Sequence, residues 1–377
     1  MNLNKIIYRT IVSLTALSLF ISCEKEIPEH DIDLEIRKLM AEKDLPSVSA
    51  CVIKDNAVVW MQYYGYSNKE DQIKANEETI YHVASVSKLF IVTAIMQLAE
   101  HGKIKIDEDI NNYIPISIRN PHFPEMPITS RMLLTHTSSI AWPQTYEEAL
   151  GLWEHFDADQ APSPSEWVPQ FLIPSGEYYN PKIWKNTCPG TFELYSNIGS
   201  NVLAYIVEQV SGQNFRDYCM DHIFIPLNMQ NTSYNYADLD LSKIAVLYKD
   251  DNTIQPPFDD RIYASGGLKT TIPDLSRFMI MYLNKGELDG NRILQENTID
   301  MMLEIQNESS GICLIWRASL GGWFGHTGGM DGAATITEMN QKSNTGLIIF
   351  CNKHSNAVYQ GHEIYGLVRQ KVNEFIK

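Results

Sequence analysis

The sequence predicts an α/β fold of the α+β kind, an antiparallel sheet flanked by terminal helices with a mostly helical subdomain inserted between the two parts of the sheet. Two observations carry this. Strand-like segments gather at the ends of the chain, Ser47 to Lys54 and Ala57 to Tyr64 near the start, then Ile312 to Arg317, Trp323 to His326, Ala333 to Met339 and Thr345 to Asn352 near the finish. Between Leu89 and about Val246 the apolar spacing is helical, with long irregular connections. Neighbouring strands joined by short turns imply antiparallel pairing. The sheet part then covers about 31–84 and 260–377 and the helical part about 85–259, within one domain of residues 31–377.

Taken in order, the first 23 residues read as a targeting segment. Lys5 and Arg9 make its start positive, Ile11 to Ile21 is apolar, and Ser22-Cys23 closes it ahead of Glu24-Lys25-Glu26. The apolar stretch is short for a membrane span. A cysteine after a small residue resembles a bacterial lipoprotein signal, with cleavage before Cys23 and lipid on its thiol; an ordinary secretory signal is the alternative. The lipoprotein reading implies a chain anchored to the membrane in the bacterial cell envelope, periplasmic or at the outer surface. Residues 24–30 form a tether, and Asp31 to Asp44 a helix with Leu34, Ile36, Leu39 and Met40 on its apolar side. Asp55-Asn56 suits a tight hairpin turn.

An apolar helix follows Tyr81 to Ser85 and ends near Gly102, with Val86, Leu89, Phe90, Val92, Ile95, Met96 and Leu98 at helical spacing. Between Trp142 and Trp184 lie four of the seven tryptophans, at 142, 153, 167 and 184, with Tyr146, Phe156, Phe171, Tyr178 and Tyr179, while six prolines prevent one long helix. This segment reads either as a self-packed loop with its own small core or as an aromatic wall suited to an apolar substrate. Ile198 to Val210 is an amphipathic helix closed by Gly212, and about Ala357 to Ile376 a final helix.

With 377 residues, 44% of them hydrophobic and 20% charged, the chain can bury a substantial core. A net charge of −16 without any basic run argues against a nucleic-acid partner. Cys51, Cys313 and Cys351 lie in apolar runs and read as small buried hydrophobes; a Cys188–Cys219 bridge is a pairing with nothing in the spacing to support it. No H-E-x-x-H or comparable ligand cluster occurs among the ten histidines, so neither metal nor cofactor is expected.

Three segments carry chemistry. Ser85 falls at the start of the apolar helix with Lys88 three residues on, which sets a hydroxyl beside an amine on one face. A serine becomes a nucleophile when something takes its proton, and a buried amine with a lowered pKa can do so. The helix start adds unpaired N–H groups that favour developing negative charge. Tyr195-Ser196-Asn197 stands at a second helix start, where the phenol is a candidate proton acceptor beside an ammonium and Asn197 offers donors and an acceptor. In Trp323-Phe324-Gly325-His326-Thr327-Gly328-Gly329 the glycines let backbone approach a ligand, its N–H groups aimed at an acyl oxygen and His326 and Thr327 facing the pocket.

In this order, S-x-x-K at Ser85–Lys88, Y-x-N at Tyr195–Asn197 and His326-Thr327-Gly328 resemble the three signature motifs of the serine β-lactamase and penicillin-binding protein superfamily. The Y-S-N and His-Thr-Gly forms are most similar to its class C β-lactamase-like branch, which also holds D,D-peptidases, esterases and transacylases. Leu133 to Ser138 and Ala264 to Leu268 are further matches. The resemblance runs from about Ser47 to the C-terminus and implies the β-lactamase/transpeptidase-like fold. It implies Ser85 as the acylated nucleophile, Lys88 and Tyr195 as the proton-handling pair with the choice of base open, and Asn197 on the acyl side of the substrate. The N–H groups of Ser85 and Gly329 would form the oxyanion hole. His326 departs from the lysine of β-lactamases, which moves the expectation from antibiotic hydrolysis toward esterase or peptidase activity on a small-molecule or peptide-like acyl substrate. Lys269-Thr270-Thr271 lacks the glycine and precedes a helix start. Two other readings remain: a transacylase passing the acyl group to a hydrophobic alcohol or amine, and a non-catalytic sensor that stays acylated. The sequence does not address oligomeric state.

Overall fold

Asp55 and Asn56 both adopt left-handed backbone, φ 51° and 62°, as a two-residue type I′ turn requires. They join β1 (Ser47–Lys54) to β2 (Ala57–Asn68) and so set the register of the sheet. The computed structural model describes residues 32–143, 152 and 155–376; the targeting segment with Cys23, the tether, Tyr146 and Trp153 lie outside the described residues.

β3 (Ile73–Lys74) follows β2, and four strands come from the far end of the chain: β4 (Arg317–Ser319), β5 (Trp323–Met330), β6 (Ala333–Asn340) and β7 (Thr345–Cys351). Their order is β4-β5-β6-β7-β1-β2-β3, and all six neighbouring pairs are antiparallel. β1 and β7 sit at the centre and are buried on both faces, which is why they read as continuous apolar runs. On one face Val48, Ala50, Val52, Leu347 and Ile349 pack under α1 (Ile32–Glu42) and the C-terminal helix Glu363–Ile376. On the other, Cys51, Ile53, Ile348 and Phe350 join the larger core shared with the inserted helices.

α2 (Lys88–Glu100) runs through that larger core, with residues 88 to 98 all buried. A helix apolar all round belongs in an interior. It packs against α3 (Asn197–Ser211), which ends in the left-handed Gly212 at φ 75°.

Several expectations need correction. Ile312 to Arg317 is irregular rather than a strand: Ile315 turns at φ 63° and donates its N–H to the Leu134 carbonyl, Leu314 and Trp316 are buried in the core, and apart from isolated bridges at Ile312 the ladder starts at Arg317. Leu34 is 60% exposed, since α1 buries Ile32, Ile36 and Met40 instead. Residues 260–311, read with the sheet, contain the helices Ile272–Leu283 and Glu296–Leu303, the first of which covers the sheet's second face. The final helix begins at Glu363 after a short turn at Asn356–Val358. Cys188 and Cys219 are both free, as are Cys51, Cys313 and Cys351.

The aromatic segment divides. Trp167, Phe171 and Trp184 are buried core residues, and Tyr178 and Tyr179 pack against them, so the self-packed reading describes most of it. Trp142 alone of the described tryptophans lines a cavity beside Ser85.

Candidate active site

Ser85 lies in a short 3₁₀ turn, Ala84–Ser87, and the α-helix itself begins at Lys88. This moves the serine ahead of the first helical turn, where it was expected. Ala84, just before it, takes φ 45°, a left-handed conformation that costs a non-glycine residue about 1–2 kcal/mol. The turn is held from several sides: Ser87 Oγ donates to the Ala84 carbonyl at 2.6 Å and accepts from Leu268 N at 3.1 Å, and Thr335 Oγ1 donates to the Val83 carbonyl at 2.9 Å. Backbone strain over-determined by its surroundings is typical of sites that must present one atom in one place.

The atom presented is Ser85 Oγ. Lys88 Nζ donates to it at 3.0 Å and to the Ser265 carbonyl at 2.9 Å, while Tyr195 OH donates to it at 2.9 Å. Because α2 is buried all round, Lys88 has no exposed surface, and burial holds its amine well below the usual lysine range, against a partial pull upward from Asp260. Tyr195 is 40% exposed at the mouth of the site, yet its hydroxyl lies at the crowded end against Ser85. Burial pushes that phenol up to about 12, with the Ser85 contact and Arg317 opposing. The pair is thus shifted in opposite directions, burial favouring the neutral amine and the protonated phenol, and the two flank one hydroxyl.

His136 fixes the loop that carries Tyr195. Its carbonyl accepts from Leu194 N at 2.6 Å, its ring lies 4.6 Å from the tyrosine ring, and its Nδ1 accepts from Ser196 N at 3.4 Å. Ser196 Oγ in turn accepts from Gly199 N at 3.0 Å and caps α3, so Tyr195 and Asn197 sit on either side of a cap. Asn201, one turn on, donates to Ser265 Oγ at 2.9 Å and ties α3 to the segment that holds Lys88.

β5 closes the third side. A Cβ at Gly328 would lie 2.2 Å from the Val83 carbonyl oxygen and 3.1 Å from Ser85 N, so only glycine lets the strand reach the serine turn. The Gly328 carbonyl accepts from Tyr359 OH at 2.9 Å. Gly329 and Ser85 line both of the cavities that meet here. His326 and Thr327 line the one beside Tyr195, whereas Asn197 lines the other. His326 is half-buried, and its Nδ1–H donates to the Thr327 carbonyl at 2.6 Å, which leaves Nε2 as an acceptor. Burial, the largest cause, lowers its pKa to about 3, so it is neutral. The cation of that cavity is Arg317, paired with Glu193 at 2.8 Å.

The structure therefore brings Ser85, Lys88 and Tyr195 into contact and sets Asn197, His326, Thr327, Gly328 and Gly329 around them; Cys23 lies outside the described residues. Lys269 is elsewhere, donating to the Tyr234 carbonyl at 2.6 Å, while Thr271 caps the helix behind it. Sequence reasoning assigned no role to His136, Ser265, Thr335 or Tyr359. The first two fall in stretches noted for their resemblance, but Thr335 and Tyr359 act only through contacts that the fold creates. Among the described residues no cluster of side chains could hold a metal ion, and no helix is long and apolar enough to cross a membrane.

Comparison with known proteins bears on the family and the fold. The Beta-lactamase family profile matches residues 32–368. The chain is 25% identical over 355 residues to PbpX of Bacillus subtilis, covering 92% of this chain and 81% of that one. Among solved structures it is similar to the octameric penicillin-binding protein homologue from Pyrococcus abyssi, with TM-score 0.74 and 25% identity over 92% of this chain and 76% of the other. A class C β-lactamase from Rhodobacter sphaeroides shares the fold, with TM-score 0.71 and 17% identity over 92% and 99% of the two chains.

Proposed function

Since the chain belongs to the Beta-lactamase family and is a serine hydrolase, we propose that it cleaves an ester or amide of a small or peptide-like substrate through an acyl-Ser85 intermediate. One observation carries the reading: Ser85 Oγ lies 3.0 Å from the Lys88 amine and 2.9 Å from the Tyr195 phenol. The phenol, with its pKa raised, keeps its single proton and donates it to Ser85 Oγ. For the serine to lose its own proton the Lys88 contact must reverse, with the amine accepting, and burial of that amine favours the neutral form able to do so. Lys88 is accordingly the base in the free enzyme. Tyr195 supports the forming alkoxide and passes a proton to the leaving group, which Lys88 then makes good.

The acyl oxygen would turn to the N–H groups of Ser85 and Gly329, a type of contact worth roughly 3–4 kcal/mol of barrier. Neutral His326 offers no charge to a β-lactam carboxylate, and Arg317 is already engaged by Glu193. Ester or amide turnover is therefore expected to exceed antibiotic turnover.

Intact-mass measurement with ester, D,D-peptide and β-lactam donors tests this. A transient adduct on Ser85, lost in Ser85→Ala together with turnover, is the expected result; full turnover by Ser85→Ala overturns the reading. Transfer to a hydrophobic alcohol drew on an aromatic wall, and with Trp167, Phe171 and Trp184 in the core hydrolysis is the better supported outcome. Free acid as the sole product with and without added alcohol would settle the acceptor. A sensor that stays acylated would show a persistent adduct.

For placement we propose a lipid anchor at Cys23 in the cell envelope. Cys23→Ser is expected to move the protein from the membrane to the soluble fraction, and an unchanged distribution counts against the anchor.

A further inference from the structure

The two N–H groups assigned to the acyl oxygen belong to two peptide units, Ala84-Ser85 in the serine turn and Gly328-Gly329 in β5. Among the described residues every peptide bond is trans, so in each unit the carbonyl points away from the N–H and the two turn together as one plane. A group that binds such a carbonyl therefore holds the N–H from behind. In both units a side-chain hydroxyl does so: Ser87 Oγ donates to the Ala84 carbonyl at 2.6 Å, and Tyr359 OH donates to the Gly328 carbonyl at 2.9 Å. Thr335 Oγ1 also stands 3.4 Å from the Gly328 oxygen, but its single hydrogen has the closer Val83 carbonyl at 2.9 Å. Tyr359 is the better placed donor.

Hydrogen bonds in series polarise one another, so a donor on a carbonyl makes the N–H of the same peptide a stronger donor. On the serine side the series is longer still, because Leu268 N donates to Ser87 Oγ at 3.1 Å. On the strand side the arrangement depends on close approach. A Cβ at Gly329 would lie 2.8 Å from Tyr359 OH and 3.3 Å from His354 Nε2, whereas one at Gly328 would meet Val83 and Ser85, since successive residues of a strand point to opposite faces. The Gly328-Gly329 peptide is thus held between the serine turn and Tyr359. Burial pushes the Tyr359 phenol up to about 12, so it keeps the proton it donates. Neither Ser87 nor Tyr359 lines the two cavities at Ser85, so any effect they have on the reaction passes through these peptides.

We infer that Tyr359 is a positioning residue for the oxyanion hole, aiming and polarising the Gly329 N–H through the Gly328 carbonyl, as Ser87 does for the Ser85 N–H through the Ala84 carbonyl. This rests on the acyl-Ser85 reading above. Neither hydroxyl touches the substrate or exchanges a proton with it; each strengthens a donor that does the binding.

The test removes one hydroxyl at a time from the full chain, with Tyr359→Phe and Ser87→Ala. A phenyl ester with an isotope-labelled acyl carbonyl gives the rate from phenol release and, after rapid mixing, the carbonyl stretch of the acyl-Ser85 adduct from the infrared difference spectrum. A hydroxyl behind a donor should count for less than the donor itself, so kcat/KM is expected to fall roughly three- to tenfold in each variant. The acyl carbonyl band should move to higher wavenumber, because weaker donors polarise the bond less. The inhibition constant of phenylboronic acid, whose tetrahedral adduct on Ser85 places an oxygen at the same N–H groups, should rise by a similar factor. A band that keeps its wild-type position, with the adduct on Ser85 formed, overturns the assignment for that residue whatever happens to the rate, since a merely structural loss lowers activity without moving the band; the acyl-serine reading then stands. Absence of any Ser85 adduct in the wild type overturns the acyl-serine reading and this inference with it. Tyr359→Phe, which keeps the ring, decides the role of Tyr359 even if Ser87→Ala fails to fold.

Discussion

Lys88 and Lys269 are two buried lysines in one molecule, and they do different work. Each donates to a backbone carbonyl, Lys88 to Ser265 at 2.9 Å and Lys269 to Tyr234 at 2.6 Å. Each has its pKa lowered by burial, Lys269 to about 8. Lys269 lies 3.9 Å from the centre of the Tyr236 ring, and Asp259, Asp159 and Asp260 pull its pKa back up. Lys88 has a single acid acting on it and a hydroxyl at 3.0 Å. Burial alone does not make a base. What distinguishes Lys88 is a depressed pKa together with a proton within reach.

Substitutions can break this contrast. The largest effect is expected from Lys88→Met, which keeps the length and apolar stem but cannot accept a proton: kcat/KM for an ester should fall roughly 10²- to 10⁴-fold. Stability should fall by no more than roughly 1–3 kcal/mol, as the Ser265 carbonyl loses its donor while a buried amine leaves the core. Parallel loss of folding would make Lys88 structural. If Lys88 is the base, wild-type kcat/KM should decline toward acid pH as the amine is protonated, and a pH-independent rate across the acid range would exclude it.

Tyr195→Phe comes next, with about a hundredfold loss in kcat/KM for esters and little change in stability, since the ring stays and 40% of the residue is already exposed. A larger loss for amides than for esters would sharpen the assignment, because an amide leaving group needs the proton more. Equal losses would weaken the case for proton delivery through the phenol.

The smallest effect on rate is expected from Lys269→Met, within about threefold in kcat/KM for a simple ester. Its effect should appear in stability, as the Tyr234 carbonyl loses its donor, roughly 1–3 kcal/mol by denaturant titration. The native pKa near 8 lies below the usual lysine value of 10.5, so over that interval the unfolded chain binds more protons and stability should rise with pH. Between pH 8 and 10 this rise should shrink in Lys269→Met. A variant with the wild-type pH slope would show that Lys269 is not its source.

Much of this site was legible from local chemistry. S-x-x-K places hydroxyl and amine together because residues three apart share a helical face, while the burial of Lys88 emerged only with the packing of α2 on every side. The hairpin at Asp55-Asn56 followed from two residues that tolerate left-handed backbone. Ile312 to Arg317 misled because an apolar run looks the same whether it pairs as a strand or plugs a core in irregular form.

The sequence by itself determined the antiparallel sheet built from both chain ends, the three motif segments and the residue types they contribute, since periodicity and turn chemistry act within a few residues. Only the tertiary structure decided that Tyr359 holds the Gly328 carbonyl, that His136 clamps the Tyr195 loop, and that Thr335 holds the Val83 carbonyl beside Ser85. Such contacts join residues up to hundreds of positions apart. Their energies depend on burial and on what stands opposite, quantities that do not exist until the chain has closed on itself.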